Sequence, residues 1–135
     1  MKKLQILITA IALTLTAFSA PAYPPPPKLA DNFHPNTDYA QIINHPRQTR
    51  NVIIEETSEL LRTALNLQNQ GYVFLGFASF AKRKADGPVT REEIVEFAKS
   101  IGAAWVTHDI EGGKGSDPMV DHWFHFFAYG PDYGH

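Results

Sequence analysis

The fold is decided by residues 71–110, GYVFLGFASFAKRKADGPVTREEIVEFAKSIGAAWVTHDI. Residues 72–80 form a nearly unbroken apolar run, which is typical of a strand buried on both faces. Residues 103–110 are rich in small and β-forming side chains and predict a second strand. A helical pattern lies between the two runs. The order strand, helix, strand predicts a βαβ crossover whose two strands run parallel and whose connection is right-handed.

Both ends of the intervening helix are marked in the sequence. Thr90 is a favourable N-cap residue, and Glu93 can close a capping box with it. Gly102 supplies the left-handed backbone conformation that commonly ends a helix. The apolar residues between these positions follow helical spacing and predict one buried helix face: Ile94, Val95, Phe97, Ala98 and Ile101.

Residues 1–22 have the pattern of a signal peptide. Lys2 and Lys3 precede an apolar stretch, and the small-x-small motif that ends at Ala22 predicts cleavage before Tyr23. The apolar stretch is shorter than the span of about 20 residues that a bilayer requires. The sequence therefore predicts an exported bacterial protein, periplasmic or secreted, without a transmembrane anchor after cleavage.

The composition excludes several classes of protein. The chain has no cysteine, which rules out an N-terminal lipid anchor, a disulfide framework and thiolate chemistry. Its formal net charge is −2, from 12 basic and 14 acidic residues. Removal of residues 1–22 takes two lysines, so ten basic residues remain against fourteen acidic ones, and the charge becomes −4. Nucleic-acid binding, which usually requires a basic excess, is not expected.

The rest of the chain divides by composition. Residues 23–50 open with four prolines and are expected to form a Pro-rich tether, and residues 51–135 are expected to fold as one small α/β domain. A helical pattern spans residues 57–70, a glycine-rich loop spans 111–118, and an aromatic last strand spans 119–129. The predicted fold class is α/β (α+β): a small two-layer sandwich of three to four strands with two helices on one face. The basic run 82–84 is expected to be a solvated part of the crossover loop.

Two motifs in this core resemble those of known proteins. They are Gly71-Tyr72-x-x-x-Gly76-x-x-x-Phe80 and Ala98-Lys99-x-x-Gly102-Ala103-x-x-Val106. Together they resemble a group of small exported bacterial proteins of uncharacterised function. The second motif is also distantly similar to the Rcs outer-membrane stress-sensor lipoprotein and to YbjQ-like domains. The resemblance implies a small α/β fold. It does not extend to lipid anchoring or to that signalling role, since both depend on cysteines. In physical terms, Gly76 would let a helix approach the strand closely.

The histidines raise the alternative of a zinc- or copper-binding protein. The candidate ligands are His108, Asp121, His122 and His125. Side chains alternate along a strand, so His122 and His125 are predicted to point to opposite faces. His108 could still meet one of them across neighbouring strands.

A small hydrolase is the third interpretation. It would use Ser79 with His108 and Asp109, but the nucleophile-elbow motif is missing. Adjacent strand residues also cannot both converge on one nucleophile. No catalytic residue is therefore predicted.

The preferred interpretation is a non-catalytic, exported binding or envelope-associated domain that needs no cofactor. The last strand has aromatic residues on both faces, and a domain of this size has helices enough to cover one. If this strand lies at a sheet edge, its uncovered side predicts a surface for a protein or envelope partner, or for a second copy in a homodimer. The residues of that surface are Trp123, Phe127 and Tyr129.

Overall fold

The computed structural model describes residues 24–47 and 51–130. They form one mixed sheet with helices packed on it. The strands are β1 (Phe33–Pro35), β2 (Ile53–Glu56), β3 (Tyr72–Arg83), β4 (Trp105–Gly112) and β5 (Met119–Tyr129). The helices are α1 (Ala40–Asn44), α2 (Leu60–Asn69) and α3 (Arg91–Ile101), with short 3₁₀ turns at Ala30–Asn32, Thr37–Tyr39 and Lys84–Asp86. The predicted small two-layer α+β fold is confirmed.

The strand order is β1-β3-β5-β4-β2. β5 is antiparallel to both β3 and β4, and β2 is parallel to β4. The strands on either side of α3 are therefore parallel in direction, as predicted, but β5 lies between them. The reason is the short connection from β4 to β5, which folds the two strands into an antiparallel hairpin. The expectation that the last strand could be an edge is wrong, because β5 is the central strand.

Helix α3 begins and ends where its sequence signals place it. The Thr90 hydroxyl accepts the Glu93 backbone N–H at 3.2 Å, and the Glu93 carboxylate accepts the Thr90 N–H at 3.0 Å. Gly102 follows the helix with φ +79° in the left-handed region. The capping box is confirmed, because these interactions are local and do not depend on the rest of the fold.

Part of the expected tether belongs to the folded domain. β1 pairs with β3, and the Phe33 ring packs edge-on against Phe97 and Phe126 at centroid distances of 5.2 and 5.6 Å. An added Cβ on Gly76 would collide with the His34 carbonyl and the Phe33 ring. The glycine therefore makes room for β1 and not, as expected, for a helix. The scattered apolar residues of this segment have no core of their own, but they complete the core of the main sheet.

The core consists of two clusters on opposite sides of the sheet. The larger one joins α3 to the alternate side chains of the central strands, including Leu75, Val106, Phe124 and Phe126. The smaller one joins Leu67 of α2 to Tyr72 and Phe127. Helix α2 thus packs on the face opposite α3, at one end, and not on the same face as expected. We call the side of the sheet opposite α3 the open face.

The basic run 82–84 is not a solvated loop. β3 continues to Arg83, so the first two residues of the run belong to the strand. Lys82 is only 6% exposed. Arg83 forms a two-pronged interaction with Asp86, at 2.7 and 2.9 Å, and only Lys84 is exposed.

The predicted signal peptide, residues 1–22, lies outside the described residues. So do residues 48–50 and the last five residues of the chain. Among the helices that the structure describes, none combines the length and the apolarity needed to cross a membrane.

Candidate functional site

The open face presents Trp123 at the middle of the sheet. In register, Trp123 lies between Ser79 of β3 and Asp109 of β4. The neighbouring row along β5 is Phe77, His125 and Thr107, and the row on the other side is Ala81, Asp121 and Glu111. Since side chains alternate along a strand, these nine residues share one face.

Helix α2 covers one end of this face. It buries Phe127 completely, in a cluster with Leu67, while Tyr129 remains 42% exposed beyond it and packs against Tyr72 at 5.2 Å. The three aromatic residues of the predicted surface do lie on one side of the strand. Phe127, however, cannot contact a partner, because α2 covers it. The sequence predicted this helix on the other side of the sheet, together with α3.

The end of the open face that α2 does not cover carries both aromatic and acidic side chains. Trp123 and Asp109 are partly buried, whereas Glu111 and Asp121 are exposed. Phe77 is 40% exposed and stacks on His34 at 4.8 Å. No salt bridge among residues 24–47 and 51–130 uses any of the three carboxylates. A partly exposed indole beside carboxylates that lack ion-pair partners can bind a cationic group.

The side chains of His108 and His122 meet on the side of the sheet that α3 covers, which we call the covered face. The His108 Nε2 and His122 Nδ1 atoms are 2.8 Å apart, so one ring donates to the other. The His108 ring also stacks on Phe124 with a centroid distance of 4.0 Å. Register brings the pair together, because β4 and β5 are adjacent and both residues point toward α3.

The pKa values of the three histidines of β4 and β5 are all lowered, which favours their neutral form. Burial, followed by the neighbouring His122, lowers the pKa of His108 to about 4. The pKa of His122 is lowered by burial first and then by the Lys82 ammonium, against an opposing effect of Asp121. Burial alone lowers the pKa of His125, which lies on the other side of the sheet. Neutral imidazoles stacked among aromatic rings behave as part of the core.

The four candidate metal ligands are not brought together. His108 and His122 face α3, whereas Asp121 and His125 point to the open face, since they alternate with His122 along β5. Within the described residues, no three histidine or carboxylate side chains group closely enough to hold a metal ion. The sequence left open that His108 meets one of the other two histidines, and the structure pairs it with His122 but brings no third ligand to them.

The candidate hydrolase residues are also separated. Ser79 and Asp109 flank Trp123 on the open face, while His108 points to the covered face. The sheet therefore stands between the serine and the histidine, and this trio cannot act as a triad.

Three buried polar atoms beneath and beside α2 have no hydrogen-bond partner in the described structure: Trp105 Nε1, Thr107 Oγ1 and His125 Nδ1. Thr107 is fully buried and lies directly opposite His125. Such atoms cost stability, because they leave water without gaining a partner.

Comparisons with protein-family models, with curated proteins and with solved structures found no match to this chain. The resemblance to the small exported proteins stays a prediction. The site must be interpreted from its own chemistry.

Proposed function

We propose that the protein is a non-catalytic, exported binding domain that acts in the cell envelope or outside the cell. Its binding surface is the uncovered part of the open face, centred on Trp123. The observation that carries the proposal is the position of this indole on the central strand, partly exposed and flanked in register by Asp109. A residue of the core would be covered at this position, whereas α2 does not extend as far as Trp123.

The partner we propose is a protein surface that displays lysine or arginine side chains. A cation over the indole face is attracted by the ring, by about 0.5–2 kcal/mol depending on its exposure. Asp109, Asp121 and Glu111 surround the same position and can pair with further cations. Exposed charges act weakly one at a time, so the affinity depends on the indole together with the carboxylates.

The first experiment measures direct binding of a ten-lysine peptide. The chain has two tryptophans, so Trp105→Phe leaves Trp123 as the only fluorophore of this type. We expect its emission to change on titration, with an affinity that falls as salt is added. A matched peptide of ten glutamates should have no effect.

Variants then locate the surface. Asp109→Asn with Asp121→Asn should weaken binding of the lysine peptide. Glu92→Gln, an exposed carboxylate on α3 at the other side of the sheet, should leave it unchanged. Equal binding by all three proteins would contradict the proposed surface.

Export is tested separately. The protein recovered from the periplasm or the medium should have the mass of a chain that begins at Tyr23. A full-length protein confined to the cytoplasm would contradict this part of the proposal, even if the peptide binds.

A further inference from the structure

A cleft of about 620 Å³ lies between α3, the end of β3 and residues 25–30. It is on the side of the sheet opposite the proposed binding surface. Its walls are mostly apolar: Phe80, Val89, Phe97, Leu29 and the prolines 25–27. The volume falls within the range of roughly 300–1,000 Å³ that is usual for small-molecule sites.

Lys82 lines this cleft as its most deeply buried charge. The residue is 6% exposed, and its ammonium donates to the Pro88 carbonyl at 3.0 Å. Neither of the two salt bridges in the described part of the chain involves it. A buried ammonium needs more than one neutral acceptor to offset the loss of water, so the cleft has an unmet preference for an anion.

The other charged groups of the cleft are at its rim. Lys28, Glu93 and Glu96 are more exposed than Lys82, and the Glu93 carboxylate accepts the Thr90 N–H in the capping box. Water screens exposed charges much more strongly than buried ones. Lys82 therefore favours a negative charge at the buried end of a ligand. The aromatic and proline walls favour an apolar group in the rest of the ligand.

We propose that this cleft binds a small carboxylate with an apolar body, whose carboxylate pairs with Lys82 and whose body lies between Phe80 and Phe97. The ion pair forms away from water, where a charge-assisted hydrogen bond is strongest. The site is independent of the surface around Trp123, so either proposal can fail without the other.

The test uses octanoate as the probe, with three matched compounds. Octanol has the same body without the charge, octylammonium has the opposite charge, and acetate has the charge without the body. Octanoate should bind the purified protein in calorimetry and raise its melting temperature, and the other three should bind much more weakly. Failure of octanoate to bind, or equal binding of octanol, would overturn the proposal.

Two lysine variants show whether the charge lies where we place it. Lys82→Met keeps most of the length of the side chain and removes the ammonium, and it should weaken octanoate binding by about tenfold or more. Lys84→Met removes an exposed lysine two residues further along the chain and should leave binding unchanged. Undiminished binding by the Lys82→Met protein would refute the role of the lysine.

A measurement on the unmodified protein covers the case in which the Lys82→Met chain does not fold. The Lys82 ammonium contributes to the lowered pKa of His122. A carboxylate paired with that ammonium should raise the pKa of His122, which a proton NMR titration of the imidazole detects. Octanoate that binds without moving this pKa would place the ligand elsewhere and overturn the proposal.

Discussion

Acidification should destabilise this protein through the His108–His122 pair before most of its carboxylates are protonated. In the folded protein both rings are buried on the α3 side of the sheet and neutral. In the unfolded chain each ring takes up a proton near its ordinary pKa of 6.5. The unfolded state therefore binds more protons than the folded state as the pH falls below 6.5, and stability decreases.

The size of the effect is set by His108. Its pKa is lowered from 6.5 to about 4, mainly by burial, and each pKa unit corresponds to about 1.4 kcal/mol. The stability that the neutral His108 ring contributes is fully present above pH 6.5, decreases as the pH falls from 6.5 to about 4, and is lost below about pH 4. The total loss of folding free energy is about 3 kcal/mol. Since small domains are stable by about 5–15 kcal/mol, this loss is a large fraction of the total.

The assay is urea unfolding followed by circular dichroism at several pH values between about 7.5 and 4, which span the titration. Replacement of both residues, His108→Phe with His122→Phe, removes the titration without leaving one ring unpaired. The free energy of unfolding of this double variant should change less over the interval, by at least about 3 kcal/mol, because the lowered pKa of His122 adds to the contribution of His108. His45→Phe, at an exposed histidine, is the matched control and should behave like the unmodified protein. Parallel loss of stability in the unmodified protein and the double variant would refute the reasoning.

Four further substitutions test the fold. Gly76→Val should cost at least about 1–3 kcal/mol, because φ is +148° there and a side chain would collide with β1. An unchanged melting temperature would show that β1 is not docked at this position. Thr90→Ala should cost about 1 kcal/mol by removing the cap of α3, and Glu93→Ala should cost less; equal stability of all three proteins would exclude the capping box as a stabilising feature. Thr107→Val should raise the free energy of unfolding by about 1–3 kcal/mol, since its buried hydroxyl has no partner in the described structure, and a less stable protein would reveal that the hydroxyl is bonded to water.

The sequence by itself determined the features that neighbouring residues control. The capping box at Thr90, the left-handed Gly102, the βαβ order and the alternation of faces along β5 were all predicted and are all found. Each depends on interactions within a few residues, or on the two-residue period of a strand, and these are present in any fold that contains the segment. The separation of His122 from His125 has the same cause.

Only the tertiary structure decided which elements meet. Strand order placed β5 at the centre of the sheet, and α2 covered Phe127 from the opposite side to α3. β1 came from a segment whose composition resembled a tether, and Lys82 was buried although it lies in a basic run. These outcomes depend on contacts between residues far apart in the chain. The free energy of these contacts comes from the burial of surfaces that fit together only once the whole sheet has formed. A local sequence pattern therefore cannot predict which elements meet.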